Sequence, residues 1–410
     1  MKVVLLSTSD SSGGAAIACK RLGICLSNAG HDVTMLVMEK KSTESWIEQT
    51  SWPRNKIDRA IKDFQYLYSK MMVFKAGFIF SDEPWWGHDL SKHPKLLEAD
   101  IIQLHWVNHG FLSLKNLKSI FSLKKPIIWH MHDFWPFTGG CHYPGPCNRY
   151  QAHCGHCPAL RESIENDTSF KRLSEKIELF KINPPTLVGA SQWLANRANE
   201  SKLGKFARTT HIANPIFKSE YFPSKDKESL KLKHGLSLTK KYIFFAAMNV
   251  ADSRKGFNEL ISALSHLKEE SYDIELLIAG KTSDHLVNTL PYPSRLLGSL
   301  NSVGMREAYQ MADLFVIPSL EENLPNTVLE SMACGTPVVG FDIGGIGEMI
   351  VDYQNGILAK TVSSYGLAKA IMSALQTNFE AQQIVSSIDI FGPEHIGSQY
   401  TKLFYSVLHK

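Results

Sequence analysis

The chain has 410 residues, with 44 lysines and arginines against 40 aspartates and glutamates, 44% hydrophobic and 20% charged residues. That length exceeds what one core serves and calls for two domains of roughly 200 residues, and a net charge of +4 is too small to point to nucleic acid. No apolar run approaches the ~20 residues that span a bilayer, and Met1–Leu6 is too short for a signal peptide, so it reads as a first buried strand and the chain as cytosolic.

In chain order, Val3–Ser7 is predicted as a strand, followed by Ser12-Gly13-Gly14 and a helix from Ala15 to Asn28 that Gly30 stops. His31–Val37 is the next strand. Apolar runs at Ile101–Leu104, Pro126–Trp129 and Thr186–Gly189 read as further parallel strands. The second half repeats the rhythm at Tyr242–Ala246, Ile274–Ala279, Leu314–Ile317 and Pro337–Gly340. Strands joined by helix-length connections imply an α/β fold of two doubly wound, Rossmann-like domains, taken as residues 1–215 and 216–392. The polar stretch Lys218–Lys233 is the expected linker.

The most informative segment runs from Glu322 to Glu330 and on through Gly335-Thr336-Pro337-Val338-Val339. It places one carboxylate in a loop and a second a turn into a helix, with Asn323 as the expected cap and Pro325 in the first turn. A helix start suits a phosphate, whereas acidic side chains beside it suit sugar hydroxyls. The combination describes a nucleotide-sugar site.

This segment resembles the E-x7-E signature of retaining glycosyltransferases of family 4, which share the GT-B fold; the preceding Leu314–Ser319 and the following Gly-Thr-Pro-Val-Val carry the likeness beyond the two glutamates. The resemblance implies two Rossmann-like domains facing a central cleft, with a last helix at about 393–410 packing back on the first. Arg254 and Lys255 match the basic pair that holds the donor diphosphate, a role for which a guanidinium fork and an ammonium are both suited. By the same likeness Glu322 approaches the donor sugar, Glu330 bonds the ribose, and Asn323 and Leu324 stand where the family commonly has Gly-Phe. Asn323 thereby adds a side chain near the donor. Gly13 and Gly14 match the glycine loop, and Gly280 a glycine near the base; there is no G-x-G-x-x-G, so no nicotinamide or flavin is implied.

His132, in Trp129-His130-Met131-His132-Asp133, aligns with the family's active-site histidine. His105 is expected on the same acceptor-side rim, and His130, two residues before His132, shares its strand face with its role open. The implied reaction moves a sugar from a nucleoside diphosphate sugar to a hydroxyl of a glycan or lipid-linked acceptor, with retained anomeric configuration. No Asp-x-Asp triplet occurs, so no catalytic metal is expected. A sugar-nucleotide epimerase of GT-B shape and a non-catalytic sugar-binding subunit are the alternatives.

Cys141, Cys147, Cys154 and Cys157 crowd into the insertion after His132, whereas Cys19, Cys25 and Cys334 read as helical packing residues. Four clustered thiols in a cytosolic chain suggest a structural zinc site, with disulfides or free thiols as alternatives and His142, His153 and His156 as alternative ligands. The run HDFWPFTGGC…C…CGHCP resembles a subgroup of family 4 in bacterial exopolysaccharide, colanic-acid-like and capsule pathways. Asn55–Phe80 mixes basic and aromatic residues and reads either as a helix lying on an anionic membrane or as one packing on the core.

Overall fold

The computed structural model describes residues 1–50, 60–61, 63–64, 67–69, 71, 74–75, 79–81, 87–268, 272–282 and 289–409. The chain divides into two units, one formed by Met1–Pro215 with Pro393–Lys410 and the other by Ile216–Gly392.

The first unit is built on seven parallel strands: β1 (Lys2–Ser9), β2 (Asp32–Glu39), β3 (Ile47–Gln49), β4 (Ile101–Leu104), β5 (Ile127–Met131), β6 (Thr186–Gly189) and β7 (Arg208–His211). Their order is β3-β2-β1-β4-β5-β6-β7. Residues β1, β2, β4, β5 and β6 are almost wholly buried because helices cover both faces, which is why these strands read as continuous apolar runs rather than alternating ones. Helix Pro393–Leu408 belongs to this unit and packs on helix Gly14–Asn28. Cys19 and Cys25 are buried on the latter, as packing residues should be.

The second unit holds six parallel strands: β8 (Lys241–Asn249), β9 (Ile274–Lys281), β10 (Ser294–Gly298), β11 (Leu314–Ile317), β12 (Val338–Phe341) and β13 (Gly356–Ala359). Their order is β10-β9-β8-β11-β12-β13. Its core gathers Phe245, Leu260, Ile278, Val316, Val339 and Ile371, from strands and the helices laid over them.

One expectation changes, and four strands are added to those predicted. Lys218–Lys233 is no linker: it lies in the second unit, where Asp226 caps a helix from Lys227 to Lys233. Lys227 and Lys231 of that helix both pair with Asp313, at 3.1 Å each. The short strands β3, β7, β10 and β13 were not predicted; β7 and β10 are half-exposed and have no apolar run to betray them. Most of the Asn55–Phe80 segment, including Asn55–Arg59, Lys62, Tyr66, Lys70, Met72 and Phe78, lies outside the described residues. Among the described residues no helix is long and apolar enough to cross a membrane.

Candidate functional site

In an open parallel sheet, ligands bind beyond the carboxyl ends of the strands, where the strand order reverses. In the second unit that point lies between β8 and β11, and the sequence-predicted donor residues are the ones that follow these two strands. The loop after β8 carries a single turn of 3-10 helix, Ser253–Lys255, whose Arg254 N–H is capped by the Asp252 side chain. The loop after β11 carries Ser319 and Glu322. The two loops are laced together by the Leu320 N–H, which donates to the Arg254 carbonyl at 2.8 Å.

Across this seam Lys255 Nζ donates to Glu322 Oε2 at 2.5 Å. The Ser319 hydroxyl reaches the same oxygen at 3.4 Å. Glu322 is buried, and the lysine is only partly so. Arg254 is placed differently: its guanidinium donates to Asp252 Oδ2 at 2.6 Å, so it is held by its own turn. The two cations expected to act as an equivalent pair are therefore each neutralised by a different carboxylate. Lys255 is the one tied to the E-x7-E segment.

Two glycines make the close approach possible. Gly256 has φ +68, and a Cβ there would lie 1.8 Å from the Pro318 carbonyl oxygen. Gly344 has φ +53, and a Cβ there would lie 1.9 Å from the Glu322 carbonyl oxygen. Gly344 was missed by sequence reading; the signal was the Gly344-Gly345 pair just beyond β12. We expect Gly256→Ala to destabilise the second unit by about 2 kcal/mol or more, because strain at positive φ adds to a clash with backbone that cannot swing away. Gly235→Ala has a similar φ of +66 but only Arg295 Nη1 at 3.9 Å, so it serves as the strain-only control. Calorimetric melting of both variants checks this.

The helix after Glu322 runs from Asn326 to Ala333 with Pro325 at its N-cap and no side-chain cap. Asn323 is thus not the cap that sequence reasoning expected; it lies in the preceding loop, buried, as does Leu324. Glu330 is buried on this helix, and the Tyr309 hydroxyl donates to its Oε2 at 3.4 Å. Gly280, the penultimate residue of β9, has φ +122, and a Cβ there would meet the Ala247 carbonyl at 1.7 Å. That contact explains the glycine by packing between neighbouring strand ends.

In the first unit the reversal lies between β1 and β4. Beyond β1, the loop reaches Gly13, which takes φ +88 at the N-cap of its helix, with Gly14 the first helical residue. Buried Asp10 anchors this loop by accepting the backbone N–H groups of Lys41 and Ser42. Beyond β4 and at the end of β5 stand His105 and His132, with His105 Nδ1 and His132 Nε2 3.0 Å apart. His130 completes a cluster of three rings, its centroid 5.2 Å from His105 and 4.8 Å from His132.

His130, expected with His105 on the acceptor side, has both ring nitrogens engaged within the first unit. It is buried, with Nδ1 2.5 Å from the Tyr400 hydroxyl and Nε2 3.0 Å from Asn214 Oδ1. Both nitrogens are spent on fixing the last helix and the chain after β7, so its role is to clamp. Burial pushes the His130 imidazole down to about 4. Burial, reinforced by the neighbouring rings, also holds His105 and His132 well below the usual histidine range. The cluster is neutral at pH 7.

The insertion after His132 is fastened by a relay in which Asp133 Oδ2 faces His142 Nδ1 and His142 Nε2 faces Ser81 Oγ, each at 2.7 Å. Buried Lys176 donates to the Thr138 carbonyl at 2.9 Å and to that of Trp135, and lies 3.6 Å from the Trp135 ring centroid. Neither contact was legible in the sequence.

Residues 226–387 match the model of the family described as Glycosyl transferases group 1. The chain is 28% identical over 209 residues to N-acetyl-alpha-D-glucosaminyl L-malate synthase of Bacillus anthracis, a stretch covering 48% of this chain and 53% of that protein. It is 29% identical over 159 residues to the putative teichuronic acid biosynthesis glycosyltransferase TuaC of Bacillus subtilis, covering 38% of each. The chain thus spans about half, or less, of the length of these curated relatives. Among solved structures, sucrose-phosphate synthase from Thermosynechococcus elongatus aligns with a TM-score of 0.67 at 17% identity, over 99% of both chains. Anabaena HepE in complex with UDP-glucose aligns at 0.64 and 17% identity, over 99% of this chain and 100% of that one. The chain therefore has the GT-B fold, and the likeness of its residues 226–387 is to the glycosyl transferases group 1 family.

Proposed function

We propose that this chain is a retaining glycosyltransferase of family 4, which moves a sugar from a nucleoside diphosphate sugar to a hydroxyl of a glycan or lipid-linked acceptor in bacterial surface polysaccharide assembly. The observation that carries this reading is the Lys255–Glu322 pair at the point where the second sheet reverses its strand order. A cation and a carboxylate side by side offer a diphosphate and a sugar hydroxyl their respective partners. The relative solved with UDP-glucose and the teichuronic acid relative point the same way for donor class and pathway.

In this reading an arriving diphosphate draws Lys255 from Glu322, and the freed carboxylate turns to the sugar. Lys255 and the free N–H groups at the helix starts then face the charge that grows on the leaving phosphate. Glu330, oriented by Tyr309, accepts from the ribose hydroxyls. His132, kept neutral by burial and by the neighbouring His130 ring, offers a donor or an acceptor without adding charge. The acceptor's proton leaves with the departing phosphate, so no protein base is required.

The experiment is a panel of UDP-, GDP- and ADP-sugars, read by thermal shift and by slow donor hydrolysis. Stabilisation by one donor, absent from Glu330→Ala, is the expected result. A chain that responds to none, under conditions where it is folded, overturns the reading. Turnover of a donor without any acceptor to an epimeric sugar nucleotide would instead establish the epimerase.

A further inference from the structure

The chemistry above leaves unused the four thiols between Cys141 and Cys157. They are all reduced and together line one cavity of about 20 Å³, alongside Phe80, Tyr150 and Ser169. That is room on the order of a single ion or water.

The competing ligands are engaged elsewhere. His142 has both nitrogens committed, to Asp133 and Ser81. His153 stacks on Phe170 with centroids 4.1 Å apart. His156 is exposed and turns its Nδ1 toward the Ser163 carbonyl. The thiols remain.

Their loop is shaped in advance. The Cys157 N–H donates to Asp167 Oδ2 at 2.8 Å, and the Gly155 N–H to the Ser169 hydroxyl at 3.0 Å. Asp167 also caps helix Thr168–Ile182, so the Cys154–Cys157 turn is seated on a helix start. Gly155 has φ +119, and a Cβ there would lie 2.2 Å from the Glu165 carbonyl, while His156 holds φ +45.

We propose that Cys141, Cys147, Cys154 and Cys157 bind one soft divalent cation of the zinc class as a tetrathiolate. The ion staples the insertion that follows His132. Loading releases four thiol protons to solvent and leaves a centre of net charge −2, which buried Lys176 and the cavity residue Arg149 offset. Among the described residues no three candidate ligands already stand in a ligating arrangement, so the ion draws the sulfurs inward. Because His142 follows Cys141 directly, the staple also fixes the Asp133–His142–Ser81 relay beside His132.

The test is elemental analysis of the full chain, grown with zinc and purified without chelator. One zinc per chain is expected, with four of the seven cysteines shielded from alkylation until the metal is stripped. A Cys154→Ser/Cys157→Ser variant should lose the zinc. Since that variant is at risk of not folding, the unaltered chain grown with Co²⁺ provides a second readout: an intense thiolate-to-cobalt charge-transfer band is expected. A metal-free chain whose melting is indifferent to chelator, a cobalt spectrum without that band, or intact mass showing two disulfides would overturn the proposal. None of these readouts depends on the donor site.

Discussion

Lys255→Ala is expected to lower kcat/KM by about a thousandfold, as loss of a charge-stabilising donor does in other enzymes. The substitution has a second effect: it strands Glu322, whose side chain is 9% exposed and whose Oε2 receives Nζ at 2.5 Å. A buried carboxylate left without its cation opposes an incoming diphosphate. Glu322→Gln removes that charge while keeping the shape. The double variant should therefore fall short of the sum of the single effects, and a double-mutant cycle on kcat/KM and on donor affinity measures the difference. Arg254→Ala, whose guanidinium is held by Asp252 at 2.6 Å, should cost only about tenfold. Equal activity in Lys255→Ala and the native chain would remove the pair from the mechanism. A larger loss in Arg254→Ala than in Lys255→Ala would transfer the diphosphate to the arginine.

The second large effect is on stability below neutral pH. Neutral His130 satisfies both neighbours, donating from Nε2 to Asn214 and accepting at Nδ1 from Tyr400. Protonation would set two donors face to face at Tyr400 and place a charge beside His105, His132 and His211. Its folded pKa, about 4, lies below the unfolded value of 6.5. The stability it contributes is thus fully present above about pH 6.5 and is lost as pH falls toward 4. A shift of this size corresponds to on the order of 3 kcal/mol for His130 alone, and His105 and His132 shift in the same direction. All eight tryptophans lie between Trp46 and Trp193, within the first unit, so their fluorescence reads that unit without the second. Urea midpoints by fluorescence should drop steeply between pH 6.5 and 4.5 in the native chain and less so in His130→Gln. A flat profile would show that the cluster titrates normally.

The same residues show what the chain states locally and what it does not. The E-x7-E segment and the Arg254-Lys255-Gly256 turn are contiguous stretches, so their charged residue types were legible as written. That Lys255, not Arg254, meets Glu322 was not legible, because Asp252 competes for the arginine from two residues away. Asn323 was expected to cap a helix because its side chain suits that place. Pro325 took it instead, since the helix starts one residue after the proline. The histidines illustrate the same limit: strand periodicity put His130 and His132 on one face, but only the last helix, 270 residues away in the chain, decides that His130 is a clamp.

By itself the sequence determined the alternation of buried strands and helices, the two-unit α/β class and the carboxylate and cation types of the candidate site. These follow from residue patterns a few positions long, where propensity, apolar runs and glycine at positive φ act locally. Only the tertiary structure decided which groups meet. The strand order brings β8 beside β11 and so sets Lys255 against Glu322, 67 residues on. It likewise brings β4 beside β5, joining His105 to His132. The half-exposed edge strands β7 and β10 owe their form to a neighbouring strand rather than to an apolar pattern of their own. Strand order and edge pairing are bought with long-range burial, and no local stretch of the chain encodes that.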